Sequence, residues 1–280
     1  MKQLLVAFDF SKNAVNTLEY ALVLANKTAA SLSLVWVDCS STPDNMLNIE
    51  QSLRIETKKL FEEIIPRYEP KIHNGKINVI LRKGKVYNEV AAAARLCKAD
   101  LVLAGTHGVS GFEQFWIGSN AYRIVTHAPC PVITVRGDYA VKDDVKNILL
   151  PIDSTSETRQ KLPLTAQIAS LLGATIHLAV ACDSPIGVIR QRMKSYANEA
   201  LRYLNQQQVP CVVQELEAEN LVSSLLHYAA ANDVDMISIM TEQGGTSGEL
   251  FLGPYAQQLI NNSLIPVLSL QSGSGEHMLL

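Results

Sequence analysis

The sequence lacks the features of a nucleic-acid-binding, membrane-spanning or disulfide-stabilised protein. Its net charge is −3 and its isoelectric point is near 6.1, so no excess of positive charge is present to meet a phosphate backbone. No apolar run approaches the roughly 18 residues that a membrane-spanning helix requires. The five cysteines are odd in number, and none has the Cys-x-x-Cys spacing typical of metal and redox sites. We therefore expect no nucleic-acid partner, no membrane span and no structural disulfide or zinc.

The first apolar run of the chain does not fit a signal peptide. The apolar run from Leu4 to Phe8 is too short for a signal-peptide core, and Asp9 follows it at once. We expect a cytoplasmic protein. Hydrophobic residues make up 48% of the 280 residues, which is enough to build two ordinary domains, each with its own core.

An internal repeat divides the chain into two copies. Residues 4–9 align with residues 148–153 at an offset of 144, and residues 100–103 align with residues 235–238 at an offset of 135. The second copy is thus shorter in the middle of the unit, and the period is too long for a solenoid. We predict a first domain over 1–137, a linker over 138–146, a second domain over 147–271 and a flexible tail over 272–280.

Short apolar runs alternate with helical patterns in each copy. In the first copy, Ser11 is a candidate N-cap, and Pro66 is expected to end the second helix. The predicted strands cover 4–8, 31–37, 77–81, 101–104 and 132–135, and the later helices cover 45–65, 86–98 and 119–127. This alternation predicts an α/β fold of two tandem open parallel five-stranded sheets, Rossmann-like, with helices on both faces.

A glycine-rich segment follows the fourth predicted strand. It reads Gly105-Thr106-His107-Gly108, then nine residues, then Gly118-Ser119 at the start of a helix. Glycine allows close backbone approach to a ligand, and a helix N-terminus presents free N–H groups to anions. Because ligands of open parallel sheets bind at the carboxyl ends of the strands, this segment predicts a polyphosphate site.

The spacing G-x2-G-x9-G-[S/T] after a strand resembles the ATP-binding signature of the universal stress protein family. The turn that begins with Asp9, the segment around Val37 and the proline-marked residues 129–132 also match that family's pattern. The resemblance extends over both copies, so the chain resembles a tandem universal stress protein. Ala7 departs from it, because many members carry proline at this position.

The resemblance implies ATP, with magnesium, in the first domain only. Asp9 would face the ribose or the metal, and Val37 would meet adenine through its backbone. Gly105 and Gly108 would line the ribose and phosphates, and Gly118, Ser119 and Asn120 would hold the β- and γ-phosphates. The predicted nucleotide-contacting set is Ala7, Phe8, Asp9, Val37, Ala104, Gly105, His107, Gly108, Gly118, Ser119 and Asn120. No direct metal ligand is assigned except Asp9, which has the alternative role of capping the first helix.

The second copy has lost most of this loop. Met240 and Gln243 replace its first two glycines, and Pro254 replaces the serine after Gly253. Proline is comfortable at the first position of a helix, yet it deletes one N–H and the hydroxyl. We expect that the second copy does not bind ATP in the family manner.

Three functions are compatible with these patterns. The first is a regulatory or stress-response protein whose partner contacts change with ATP, and the second is a slow ATP-hydrolysing or adenylating enzyme. The third is a scaffold in which both sites are vestigial. No catalytic residue is assigned, because His107 has no carboxylate nearby in sequence. Within the chain, residues 132–135 are expected to pair with residues 267–270 as an internal pseudo-dimer, and a homodimer of chains is possible.

Overall fold

The computed structural model covers most of the chain. It describes residues 1–40, 47–73, 75–107, 117–153, 158–182, 186–217, 220–243 and 250–271. The predictions for Gly108 and for the tail over 272–280 lie outside the described residues.

Both halves alternate strands with helices. The first half comprises β1 Gln3–Ala7, α1 Lys12–Thr28, β2 Ser31–Asp38, α2 Leu47–Tyr68, β3 Ile77–Lys83, α3 Val86–Leu96, β4 Leu101–Gly105, α4 Ser119–His127 and β5 Val132–Val135. The second half comprises β6 Asn147–Ile152, α5 Thr158–Leu172, β7 Thr175–Cys182, α6 Gly187–Gln206, β8 Cys211–Glu217, α7 Leu221–Ala231, β9 Met236–Met240, β10 Glu242–Gln243, β11 Leu250–Phe251, α8 Pro254–Asn262 and β12 Val267–Leu270. The predicted N-cap is confirmed, because the Ser11 hydroxyl accepts the Ala14 N–H at 3.1 Å.

The prediction that Pro66 ends the second helix is wrong. Helix α2 continues to Tyr68, and a 3₁₀ turn over Glu69–Lys71 follows it. A proline this close to the helix end removes one backbone hydrogen bond, the one to the carbonyl of Glu62. Glu62 is exposed, so water can satisfy the released carbonyl. The local cost is small enough for the last turn to form.

Ten strands form one continuous sheet, in the order β3-β2-β1-β4-β5-β12-β9-β6-β7-β8. Neighbouring strands are parallel within each half, whereas β5 and β12 are antiparallel, with Ile133 opposite Leu268. The predicted α/β class is confirmed, but the two predicted five-stranded sheets are halves of a single sheet. The pairing of β5 with β12 is the one that the sequence predicted, and each strand covers the edge that the other would leave open.

Helices cover both faces of this sheet. On one face, α1, α2, α5 and α6 pack over alternate strand residues such as Leu4 and Ile148, which are fully buried. On the other, α3, α4, α7 and α8 pack over Leu5 and Leu149. Within the described ranges, no helix combines the length and the apolar character needed to cross a membrane.

Equivalent aspartates anchor the first strand of each half. Asp100 accepts the main-chain N–H of Lys2 and, at 2.9 Å, that of Gln3. Asp235 accepts the equivalent N–H groups of Lys146 and Asn147 at 2.8 and 3.0 Å. Each carboxylate ties the first strand of its half to the neighbouring central strand, which explains why the two copies share an aspartate at this position.

The predicted linker is packed against both halves. The Tyr139 ring is buried and meets the Tyr20 ring edge-on at 5.9 Å. Asn16 donates to the carbonyl oxygens of Arg136 and Tyr139 at 2.8 and 2.9 Å. Further along, Lys142 forms a salt bridge with Asp235 of the second half, with 2.7 Å between nitrogen and oxygen. The connection therefore holds the halves together through specific contacts.

Candidate functional site

The predicted site lies at the carboxyl ends of β1, β2 and β4. β1 is flanked by β2 on one side and by β4 on the other, so the strand order reverses direction next to β1. Such a switch point opens a crevice between the loops that leave adjacent strands. The structure therefore brings the ends of the strands that carry Ala7, Val37 and Gly105 to one edge of the sheet.

The backbone of β2 has an open edge beside the end of β1. The last bond between these strands runs from the Phe8 N–H to the Val35 carbonyl at 2.9 Å, whereas β2 continues to Asp38. Because strand residues alternate in the direction of their backbone groups, those of Val37 point to the same side as those of Val35. The N–H and carbonyl of Val37 thus face the space beyond β1, as the predicted backbone contact with adenine requires.

A strained turn places Asp9 at this edge. Phe10 adopts a left-handed conformation with φ of 62°, which is unfavourable for a bulky residue. Its ring packs against those of Phe8 and Phe61, with centroids 5.1 and 4.7 Å away, and this aromatic cluster holds the turn. Asp9 Oδ1 accepts the Ser11 N–H at 3.0 Å. Ser11 caps α1, so the half-buried Asp9 shapes the turn before the helix.

Asn13, which the sequence reasoning missed, organises the end of β4. Its side-chain amide donates to the His107 carbonyl at 2.9 Å. A Cβ on Gly105 would lie 3.1 Å from the Asn13 Cβ, and a Cβ on Gly137 would lie 1.5 Å from its Oδ1. Both glycines are therefore needed for close packing against α1. No motif marked Asn13, because its partners lie about a hundred residues further along the chain.

His107 is hydrogen-bonded to its neighbour Thr106. Its Nδ1 lies 2.9 Å from the Thr106 hydroxyl. Two hydrogen bonds from Arg136 are the main reason that the pKa of Asp138 is lowered, and the charge of nearby His107 acts in the same direction. A carboxylate thus stands near His107 in space although none is near in sequence. His107 therefore lies near the Arg136–Asp138 pair.

Helix α4 begins directly at the end of β4. The Gly118 N–H donates to the Thr106 carbonyl at 2.8 Å, and a Cβ on Gly118 would lie 3.2 Å from that oxygen. The next residues, Ser119 and Asn120, are exposed. N–H groups in the first turn of a helix have no intrahelical acceptor and carry partial positive charge. This edge of the sheet therefore offers a row of donors suited to an anion.

The second half keeps the helix start but lacks two of its hydrogen-bond donors. Gly253 precedes α8 with φ −59° and ψ 161°, close to the −59° and 147° of Gly118. Pro254 then occupies the first helical position, where proline has neither an N–H nor a hydroxyl. Met240 ends β9 at the place of the first glycine. The backbone frame is shared, and one N–H and the hydroxyl that could hold phosphate are gone.

A buried cation also distinguishes the second half. The Lys161 side chain is 3% exposed, and its amine lies 4.0 Å from Asp153 Oδ2. Burial lowers the pKa of Lys161, and Asp153 opposes this shift. The Tyr255 hydroxyl is buried without a hydrogen-bond partner in the described part of the chain, and burial followed by the charge of Asp153 raises its pKa. The second half thus places a cation of its own beside the aspartate that follows its first strand.

Protein ligands for a metal are sparse at these sites. Across the residues that the structure describes, no group of three or more histidine, cysteine or acidic side chains could hold a metal ion. Asp9 is the carboxylate that follows β1, and one of its oxygens is engaged with Ser11. Magnesium at this edge would therefore have the phosphates of its nucleotide and water as its main ligands.

Comparisons with known proteins agree with the duplicated architecture. The sequence model of the universal stress protein family matches the chain twice, over residues 1–136 and 144–270. Proteins of Staphylococcus epidermidis and Staphylococcus aureus that bear the family's name are each 28% identical to the chain. The aligned regions cover 54% and 57% of this chain and 93% and 96% of theirs.

Solved structures show the same fold over almost the whole chain. A universal stress protein from Archaeoglobus fulgidus superposes with a TM-score of 0.77 at 18% identity, over 97% of this chain and 98% of its own. One from Pseudomonas aeruginosa has a TM-score of 0.64 at 18% identity, with coverages of 97% and 93%. With two family matches that together span nearly all of its length, the chain belongs to the universal stress protein family as a tandem of two domains.

Proposed function

We propose that the chain is a cytoplasmic, ATP-binding regulatory protein of the stress response, in which the first domain holds the nucleotide. The observation that carries this proposal is the hydrogen bond from the Gly118 N–H to the Thr106 carbonyl. It places the N-terminus of α4 at the end of β4, next to β1, where open parallel sheets bind their ligands.

The donor set at this edge fits ATP from one end to the other. Adenine would meet the main-chain groups of Val37, which face the space beyond β1. The phosphates would meet the N–H groups of Ser119 and Asn120 and the Ser119 hydroxyl, which lie at the positive end of α4. Magnesium would neutralise phosphate charge, with Asp9 as the nearest candidate ligand. All of these groups belong to the first domain.

The second domain would serve as a structural or partner-binding copy. Pro254 lacks the N–H and the hydroxyl that Ser119 has at this position, and the Lys161 amine lies 4.0 Å from Asp153. A nucleotide with magnesium would bring a further cation to a place that has one. We therefore expect a single ATP site per chain.

Isothermal titration of the full chain with ATP and magnesium tests the proposal. The expected result is one nucleotide per chain, together with a rise in melting temperature, because a ligand of the native state stabilises it. Two tight sites would contradict the role assigned to the second domain. An absence of binding would favour the scaffold alternative.

Prolonged incubation with labelled ATP separates the binding protein from the enzyme. The crevice has donors for phosphate, and the His107 ring is hydrogen-bonded to its neighbour Thr106. We therefore expect turnover far below about one per second, the lower end of common enzyme rates. Faster turnover would assign the chain to the enzymatic alternative.

A further inference from the structure

The second domain contacts both ends of α4, the helix whose start would hold the phosphates. At one end, Asn261 of α8 accepts the main-chain N–H of Ile117 through Oδ1 at 2.5 Å. At the other end, Gln271 after β12 donates to the carbonyl oxygens of Val125 and Ala128 at 3.1 and 2.6 Å. Ile117 immediately precedes Gly118, so the first contact lies one residue from the N-cap of the helix.

These contacts satisfy backbone groups that the helix itself leaves without partners. The last carbonyls of a helix have no intrahelical donor, and Gln271, which is 8% exposed, supplies one inside the interface. Strand β11 of the second domain also lies against α4. The helix is therefore held in position by groups that belong to the other domain.

The arrangement is directional. By the internal repeat, Thr126 is the first-half counterpart of Asn261, and its hydroxyl donates within its own helix, to Tyr122 and Arg123 at 3.2 and 3.3 Å. Arg136 is the counterpart of Gln271. It bonds to its neighbour Asp138 at 2.9 Å, and reaches the Asn261 carbonyl only at 3.5 Å. Among the described residues, the second domain thus makes shorter hydrogen bonds to the helix of the first than the reverse.

We propose that Asn261 is a positioning residue for the nucleotide site of the first domain, and that the second domain is retained as a clamp on α4. This inference rests on the proposed binding of ATP by the first domain. The clamp acts on the direction of the N–H groups that follow Ile117, because rotation of that peptide would tilt the helix start. Donors that are already aligned bind an anion without the entropic cost of ordering.

Loss of the clamp should therefore weaken binding of the phosphate end of the ligand and leave binding of the adenosine end unchanged. Asn261→Ala removes the acceptor, and we expect ATP affinity to fall roughly three- to tenfold, the effect of one ordinary hydrogen bond. Affinity for adenosine should be unchanged. Asn261→Gln keeps a neutral amide acceptor on a longer side chain and should recover part of the loss in binding free energy.

Asn262→Ala is the matched control. Asn262 occupies the next position of the same helix, is exposed, and donates only within α8, to the Gln258 carbonyl at 2.8 Å. It should leave the affinities for ATP and adenosine unchanged. Titration calorimetry gives both affinities for the full-length chain, and hydrogen exchange on the unliganded protein reports on the hydrogen-bonded amides of Gly118 and Tyr122. Exchange there should rise in Asn261→Ala and stay unchanged in Asn262→Ala.

Two results would overturn the clamp. One is ATP affinity in Asn261→Ala equal to that of the unmodified chain, and the other is an equal loss for ATP and adenosine, which indicates a general disturbance. If the unmodified chain binds no ATP, the proposed function itself fails. Exchange at the amides of Gly118 and Tyr122 then tests the clamp separately, and an unchanged rate in Asn261→Ala rejects it.

Discussion

Ser119→Pro copies the second domain's loss into the first and tests the phosphate site directly. Proline removes the main-chain N–H and the hydroxyl of this residue, as Pro254 does in α8. A hydrogen bond to a charged group contributes about 1.5–3 kcal/mol. Loss of the N–H alone should therefore weaken ATP binding at least roughly tenfold, and loss of both donors by about a hundredfold or more.

The fold should tolerate this substitution. Proline at the first helical position lacks only an N–H that the helix does not use. It also needs an extended conformation in the residue before it, and Gly118 has φ −59° and ψ 147°. Gly253, which precedes a proline, has almost the same backbone, so the variant's melting temperature should stay within about 2 °C of the parent's, which corresponds to about 1 kcal/mol for a chain of this length.

Calorimetric titration of ATP into Ser119→Pro and Ser119→Ala separates the two donors. Alanine removes the hydroxyl and keeps the N–H, so its loss of affinity should be the smaller of the two. Unchanged ATP affinity in a folded Ser119→Pro protein would refute the placement of phosphate at the start of α4.

Further substitutions test packing and charge. Asp235→Ala strips the acceptor from two main-chain N–H groups and should lower the free energy of unfolding by about 2–5 kcal/mol in urea titrations. Lys161→Met should be neutral or stabilising at pH 7. Asp153→Asn should cost about 1 kcal/mol or less, because Asp153 is partly exposed and lies 4.0 Å from the amine. The pKa of Lys161 is lowered in the folded chain, so between that value and the ordinary 10.5 the unfolded chain binds a proton that the folded chain has lost. The stability of the unmodified chain therefore rises with pH in this range, and the stability advantage of Lys161→Met should shrink. A difference in stability that stays constant with pH would contradict this. Gly137→Ala should destabilise by about 1–3 kcal/mol through its clash with Asn13, and adding Asn13→Ala should cost less than the sum of the two single changes, as measured by thermal unfolding.

The local pattern of the chain predicted its elements well. The bounds of α4 and β5 match the sequence expectation, because prolines and glycines flank short, strongly patterned runs. Pro66 misled the prediction, since one missing hydrogen bond matters less in a final turn than inside a helix. Element type follows from neighbours in sequence, and for this reason the α/β class was accessible.

Contacts between distant segments were not accessible in the same way. Asn13 meets Gly137 and Asn261 meets Ile117 across long stretches of chain, and no periodicity marks either pair. The pairing of Lys161 with Asp153 depends on one helix facing one strand end. The loop glycines were recognised by their spacing, yet the close approach of α1 that requires Gly105 became visible only in three dimensions.

The antiparallel seam between β5 and β12 has a consequence for how such a protein evolves. Two separate copies would meet at a rate and an extent set by their concentration, whereas a short covalent connection gives them an effective concentration on the order of millimolar. Their pairing then resists dilution, and each chain always contains one copy of each kind. A substitution in one copy therefore always faces the other copy of the same chain, which does not carry it. The two halves are therefore free to specialise, which identical subunits encoded once cannot do.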